Sequence, residues 1–154
     1  MKGYWEMPDE TDRVLKPGPL PGERVLFSGD LFRIDEEGYL YFLGRKDDII
    51  KTRGEKVSPR EVEDVLHACP GVAEAAVLGV ADPVLGEAVR AFVVLREGAS
   101  LDEKAVLRYC AEHVEDYAMP KRAVILPELP KTPNAKIDRA ALRELAQADS
   151  KERS

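Results

Sequence analysis

The chain has 154 residues, 44% of them hydrophobic and 34% charged, with a formal net charge of −6. This is the composition of a soluble globular protein, long enough for one ordinary domain and part of another, and its acidity argues against general nucleic-acid binding. No apolar run approaches the ~20 residues that span a bilayer, no basic-then-apolar leader opens the chain, and no metal-ligand cluster is visible, so a cytoplasmic protein without a transmembrane segment is expected.

Residues 1–22 carry Tyr4 and Trp5 among Pro8, Pro17-Gly18-Pro19 and Pro21-Gly22, and read as a connecting segment without its own core. From Arg24 to Gly44 the chain alternates, with Val25, Phe27, Leu31, Ile34 and then Tyr39 to Leu43 as the apolar positions. Asp35-Glu36-Glu37-Gly38 between two such runs predicts a β-hairpin turn. Two or three strands of this kind cannot stand alone, so residues 1–44 are expected to be the β-rich end of a larger domain. Exposed Tyr4, Trp5 and Phe27 would then face that absent domain or pair with a second copy.

After a hinge over residues 45–48 the pattern changes to alternating helices and strands. Ser58-Pro59-Arg60-Glu61 has the spacing of a capping box with proline at the first helical position, and Val62, Val65, Leu66 and Cys69 line one face of the helix that follows. Residues 73–80 and 89–95, rich in Val and Ala, predict two core strands. Ser100-Leu101-Asp102-Glu103 reads as a second capping box, before a helix with Val106, Leu107, Cys110, Ala111 and Val114 on one face. Residues 123–126 predict a third strand. Asp138 caps a last helix with Ala141, Leu142 and Leu145 as its apolar face, and residues 147–154 are expected to fray as a disordered tail. Residues 49–146 therefore predict a small α+β domain, a three-stranded sheet packed by helices. Cys69 and Cys110, each on an apolar stripe, are expected to be buried thiols, and His67 and His113 to be ordinary helix residues.

Between Arg45 and Arg60 six cations (Arg45, Lys46, Lys51, Arg53, Lys56, Arg60) stand against three acids (Asp47, Asp48, Glu55). A local positive excess in an acidic chain points to an anion site, with a solvated basic face as the plain alternative. In Pro130-Lys131-Thr132-Pro133-Asn134-Ala135-Lys136 the prolines and asparagine exclude regular structure and leave Lys136 on a loop just before a helix. Such a lysine is either a surface residue or a mobile charge that neutralises a phosphate or carboxylate.

Ser28-Gly29-Asp30, the stretch from Gly44-Arg45-Lys46-Asp47-Asp48 to Glu63, and Lys131 to Lys136 stand in the order and spacing of the adenylate-forming superfamily. From Met1-Lys2-Gly3-Tyr4-Trp5 to about Leu145 the chain resembles the C-terminal third of an AMP-forming acyl-CoA synthetase. The resemblance implies an enzyme in which a carboxylic acid attacks the α-phosphate of ATP to give acyl-AMP, and CoA then displaces AMP after the small domain has rotated. It implies that Asp30 accepts hydrogen bonds from the ribose hydroxyls and that Arg45 lies near that ribose. It makes Lys136 the lysine of the adenylation step and Asp47 the hinge. It assigns the loop Lys51-Thr52-Arg53-Gly54-Glu55-Lys56 to the CoA step, with Lys51 at the reacting centre, Gly54 letting the backbone approach the pantetheine arm, and Glu55 and Lys56 beside the cofactor. The phosphate loop, the acyl pocket and the Mg²⁺ ligand belong in that family to a large N-terminal domain absent from these residues, so the chain alone is expected to be inactive. The loop sequence looks more like that of CoA ligases than of carrier-protein-loading enzymes, the runner-up. A freestanding, non-catalytic binding module is the alternative of another class. Two departures stand out: Ala135 replaces the glycine usual before the lysine, and Ser28 replaces the commoner threonine.

Overall fold

The computed structural model describes residues 1–151, with side chains as far as Asp149. The chain divides into two compact units, Met1–Asp47 and Asp48 onward. The boundary falls within the segment 45–48 that the sequence marks as a hinge.

The first unit holds a short helix, α1 (Pro8–Val14), and two separate antiparallel hairpins, β1 (Leu15–Pro17) with β2 (Arg24–Leu26) and β3 (Asp30–Ile34) with β4 (Leu40–Arg45). Asp35 makes the predicted turn: its Oδ1 accepts the amides of Glu37 and Tyr39 at 3.0 and 2.9 Å. The unit has almost no interior. Leu15 and Thr11 are buried, whereas Trp5 (86% exposed), Phe27, Phe32, Tyr39, Tyr41 and Phe42 stand at the surface.

In the second unit a 3₁₀ turn over Lys46–Asp48 leads into β5 (Ile50–Thr52) and β6 (Glu55–Val57), followed by α2 (Pro59–Ala68), β7 (Val72–Asp82), β8 (Gly86–Leu95), α3 (Glu103–His113), β9 (Arg122–Leu126) and α4 (Arg139–Lys151). β7 and β8 form a ladder from Val72↔Leu95 to Asp82↔Gly86, and on the opposite edge of β8 lie both β9, parallel along Arg90–Val94, and β5, paired at Gly86. The sheet has five strands where the sequence pattern predicts three. The three expected strands are β7, β8 and β9, with β8 between the other two. The addition is the β5–β6 hairpin, too short and too charged to show a strand periodicity of its own. Alternate residues of β7 and β8 face two cores. Ala75, Val77, Ala91 and Val93 pack with Val62 and Leu66 of α2 and Val106 and Cys110 of α3. Ala76, Leu78 and Phe92 pack with Leu142 and Ala146 of α4. Burial on both faces explains the unbroken Val and Ala runs of these strands.

Several local expectations are corrected. Ser58 occupies the N-cap of α2, but its side chain makes no capping hydrogen bond; it is packed inward. α3 is capped by Asp102, not Ser100: Asp102 Oδ1 accepts the Ala105 amide at 2.8 Å. The capping-box glutamate, Glu103, is drawn away to β9, where it meets Arg122 Nε at 3.2 Å and the Ala123 amide at 3.3 Å. On α4, Ala146 replaces Leu145 (45% exposed) on the buried face.

The tail expected to fray from residue 147 is instead helical to Lys151; residues 152–154 lie outside the described residues. The reason is electrostatic. Arg90, 7% exposed within β8, donates Nη1 to the Ala146 carbonyl at 2.8 Å and to Asp149 Oδ2 at 3.2 Å. Arg122 Nη1 lies 3.1 Å from the same carboxylate oxygen. Burial lowers the pKa of Arg90, and Asp149 opposes that shift. A buried guanidinium needs its anion, so the last turn of α4 is held on the sheet. Asp149→Ala is expected to lower the unfolding free energy by about 2 kcal/mol in urea titrations, because it removes the carboxylate that Arg90 and Arg122 share at the end of α4.

Both thiols are buried and unpaired with one another, and burial raises Cys110 to about 11. A thiol-specific dye at neutral pH is expected to leave both unlabelled in the native protein and to label both in denaturant, since the thiolate is the reactive form.

Candidate functional site

The first unit brings Asp30 and Arg45 together. They are cross-strand partners at the open end of the β3–β4 hairpin, with Arg45 Nε 3.9 Å from Asp30 Oδ1. Ser28 supports the corner: its Oγ accepts the Asp30 amide at 3.2 Å and its carbonyl accepts Arg45 Nη2 at 3.4 Å. The Lys46 amide donates to the Gly29 carbonyl at 2.7 Å and closes the corner at the start of the 3₁₀ turn. A partly exposed carboxylate and an exposed guanidinium at one hairpin end suit a ligand carrying both hydroxyl donors and negative charge.

The second unit carries two hairpin tips. The first is Thr52-Arg53-Gly54-Glu55. Arg53 and Gly54 both have positive φ, 53° and 84°, the pattern of a type I′ turn. The turn sets the register Ile50↔Val57, Lys51↔Lys56, Thr52↔Glu55. Ile50 and Val57 are buried, so Lys51 and Lys56 project together from the other face and are exposed. Like charges directly opposite each other on a hairpin are destabilising, by a few tenths of a kcal/mol, and an anion between them reverses that sign. Glu55 is exposed beside the tip.

The second tip holds Lys136. Lys131 bridges Ile137, the Ala135 amide donates to the Thr132 carbonyl at 2.9 Å, and the Thr132 amide donates to the Lys136 carbonyl at 2.7 Å. Lys136 is therefore exposed on a fixed turn rather than a loose loop. Ala135 has φ 57°. This is where the sequence departs from glycine, and the backbone still takes the left-handed conformation at the cost of its methyl group. Asp138 caps α4 as predicted, its Oδ1 accepting the amides of Ala140 and Ala141 at 3.0 and 3.1 Å.

The two tips sit toward opposite ends of β7. Lys131, at the base of the Lys136 turn, pairs with Glu74 at 3.1 Å near the start of the strand. The Arg53 amide donates to the Leu85 carbonyl at 3.0 Å, beyond its end at Asp82. Eight residue steps separate Glu74 from Asp82, about 26 Å of strand at ~3.3 Å per residue between the regions where the two tips are anchored.

Sequence reasoning passed over three residues that hold these tips. Arg139 donates Nη1 to the Val77 carbonyl at 2.6 Å and Nη2 to Glu63 Oε1 at 3.0 Å, and its Nε lies 3.8 Å from Asp48 Oδ2. It thus ties the first residue of the unit to α2, β7 and the base of the Lys136 turn. Glu87 Oε2 accepts the Lys51 amide at 2.7 Å. Asp82 accepts the amides of Val84 and Leu85, both at 2.9 Å, and Lys121 Nζ at 2.8 Å. No motif spacing marks them, because each acts on a partner distant in sequence. Among the described residues no group of three or more His, Cys, Asp or Glu side chains is arranged for a metal ion, and no helix is long and apolar enough to cross a membrane.

Residues 61–136 match the family described as the AMP-binding enzyme C-terminal domain. The chain is 42% identical over 144 residues to a long-chain-fatty-acid–CoA ligase of Bacillus subtilis and 40% identical to a 2-succinylbenzoate–CoA ligase of Geobacillus kaustophilus, with 94% of this chain covered in both. It spans about a quarter of their lengths, 25% and 28%. Among solved structures, ATP-bound MatB from Rhodopseudomonas palustris is similar with a TM-score of 0.82 at 38% identity, covering 94% of this chain and 28% of that one. Apo MatB gives 0.68 at the same identity and coverage.

Two predictions follow from the tips and their supports. Ala135→Gly is expected to raise the unfolding free energy by up to about 1 kcal/mol, as read by urea titration, because glycine adopts positive φ without the methyl clash. Asp82 is lowered from 3.8 to about 2, first by the hydrogen bond from Lys121 and then by the amides of Leu85 and Val84. Its folded value lies below its unfolded one, so its contribution is complete above about pH 4 and is lost as the pH falls toward about 2. The stability difference between the parent and Asp82→Asn should therefore hold steady from about pH 7 to 5 and shrink between about pH 4 and 2.

Proposed function

From a chain whose residues 61–136 belong to the AMP-binding enzyme C-terminal domain family, we infer that it forms the C-terminal part of an ATP-dependent acid–CoA ligase, working in the cytoplasm with a large N-terminal adenylating domain and inactive without it. The enzyme converts a carboxylic acid and ATP to acyl-AMP and pyrophosphate, and then acyl-AMP and CoA to acyl-CoA and AMP. The observation that carries the reading is the placement of two exposed cationic tips, Lys136 and the Lys51–Lys56 hairpin, toward opposite ends of one strand. Both cannot serve a single reacting centre at once, so the unit must turn between the half-reactions. Asp47, at the boundary between the two units, is the residue about which it turns.

Each residue has a task suited to its chemistry. Lys136 neutralises the charge that gathers between the acid's carboxylate and the α-phosphate during adenylation. Asp30 accepts the ribose hydroxyls of ATP or AMP, and Arg45 stays beside that ribose. After rotation Gly54 lets the tip approach the pantetheine arm, Lys51 and Lys56 face the phosphates of CoA or the reacting centre, and Glu55 borders the arm. Mg²⁺ accompanies ATP in the first step, its ligands lying in the large domain. The ligase names of the relatives support CoA as the acceptor.

The test is a chimera: the Bacillus subtilis ligase with its corresponding quarter replaced by this chain. It is expected to form acyl-CoA, while the chain alone forms none. In the chimera Lys136→Ala should slow acid-dependent pyrophosphate exchange by about 100-fold or more, yet leave thioester formation from supplied acyl-adenylate largely intact. Asp47→Pro should do the reverse. A folded chimera that forms no acyl-adenylate, or a Lys136→Ala variant with normal exchange, would defeat the reading.

A further inference from the structure

The Arg53–Gly54 tip has little packing behind it. An open cleft of about 340 Å³ lies there, lined by Thr52, Arg53, Val84, Leu85, Tyr117 and Lys121 among others. β5 meets β8 at one pair, Thr52↔Gly86. Gly86 takes left-handed backbone at that pair (φ 79°), a conformation glycine adopts without strain. The remaining links run to the β7–β8 turn and its flank: the Arg53 amide to the Leu85 carbonyl at 3.0 Å, and the Lys51 amide to Glu87 Oε2 at 2.7 Å. Arg53 carries a Cβ into left-handed backbone, a conformation that persists only where the surroundings over-determine it. The backbone link made by Arg53 itself runs to Leu85, so the residue that fixes Leu85 bears directly on the tip.

That residue is Asp82. One carboxylate oxygen accepts the amides of Val84 and Leu85 and so sets the path of the turn. The other accepts Lys121 Nζ at 2.8 Å, and the Lys121 amide is in turn bonded to the Val89 carbonyl at 2.8 Å. Lys121 immediately precedes β9, so the clasp spans the end of β7 and the start of β9. A chain of contacts thus runs from Lys121 through Asp82 and Leu85 to Arg53, and Asp82 itself forms no part of the tip.

We propose that Asp82 is a positioning residue for the Arg53–Gly54 tip: it holds the β7–β8 turn in the shape that presents the Leu85 carbonyl to Arg53, and the CoA step depends on it through that turn. The second half rests on the reading that this tip serves the CoA step; the first half rests on geometry alone.

Two measurements separate those halves. In the 154-residue chain, amide hydrogen exchange read by NMR should show Arg53 exchanging about tenfold faster in Asp82→Ala, with core amides such as that of Val93 unchanged. Lys121→Met, which removes only the ion pair, should give a smaller acceleration. In the chimera, Asp82→Ala should slow thioester formation from supplied acyl-adenylate about tenfold and leave pyrophosphate exchange within about twofold. If Asp82→Ala does not fold, Asp82→Asn keeps an acceptor for the two turn amides, loses the charge toward Lys121, and should match Lys121→Met. Unchanged Arg53 exchange, or an equal fall in both half-reactions, overturns the proposal. A freed Arg53 with undiminished thioester formation upholds the positioning role and instead overturns the assignment of the tip to the CoA step.

Discussion

The β7–β8 ladder is the constraint on which the rest of the second unit depends. It runs from Val72↔Leu95 to Asp82↔Gly86 and is buried on both faces, so its residues alternate between two cores and its register has little freedom. Both cationic tips of the unit are hung from it. Glu74 near one end anchors the base of the Lys136 turn, the turn at the other end seats Arg53, and the Val77 carbonyl between them receives Arg139. A scaffold that cannot slip keeps two chemically distinct tips at a set spacing, which a mechanism of alternating presentation requires.

The first unit is built on the opposite principle. Its two hairpins bury little, and its aromatic side chains lie exposed along β3 and β4, where Phe32 and Phe42 meet edge-on at 5.5 Å and Arg33 lies over Tyr41. Residues 1–47 thus keep little interior of their own, and the chain spans about a quarter of the lengths of these relatives. The Asp30–Arg45 corner does not need that core, because it is fixed by hairpin pairing and by Ser28.

What the sequence made legible divides along the same line. Segments whose pattern is local could be read: the Asp35 turn, the Asp138 cap, the apolar stripe of α2 and the core strands. Features set by partners distant in sequence could not. The extension of α4 depends on Asp149 meeting Arg90 and Arg122 from two other elements. Glu103 left its expected cap because Arg122 and Ala123 lie within its reach. The positive φ of Arg53 has no signal in an arginine; the glycine beside it is the legible half of the turn, and the Leu85 carbonyl that stabilises the other half is 32 positions away.

The pairing of Lys51 with Lys56 has a consequence for how the polypeptide avoids misassembly. Because side chains alternate along a strand, moving β5 by one position relative to the sheet would drive an ammonium into the space now filled by Ile50 and push that isoleucine into water. The two exposed cations of the correct alignment thus penalise the nearest incorrect one. Substitutions that neutralise them would forfeit a safeguard against strand slippage.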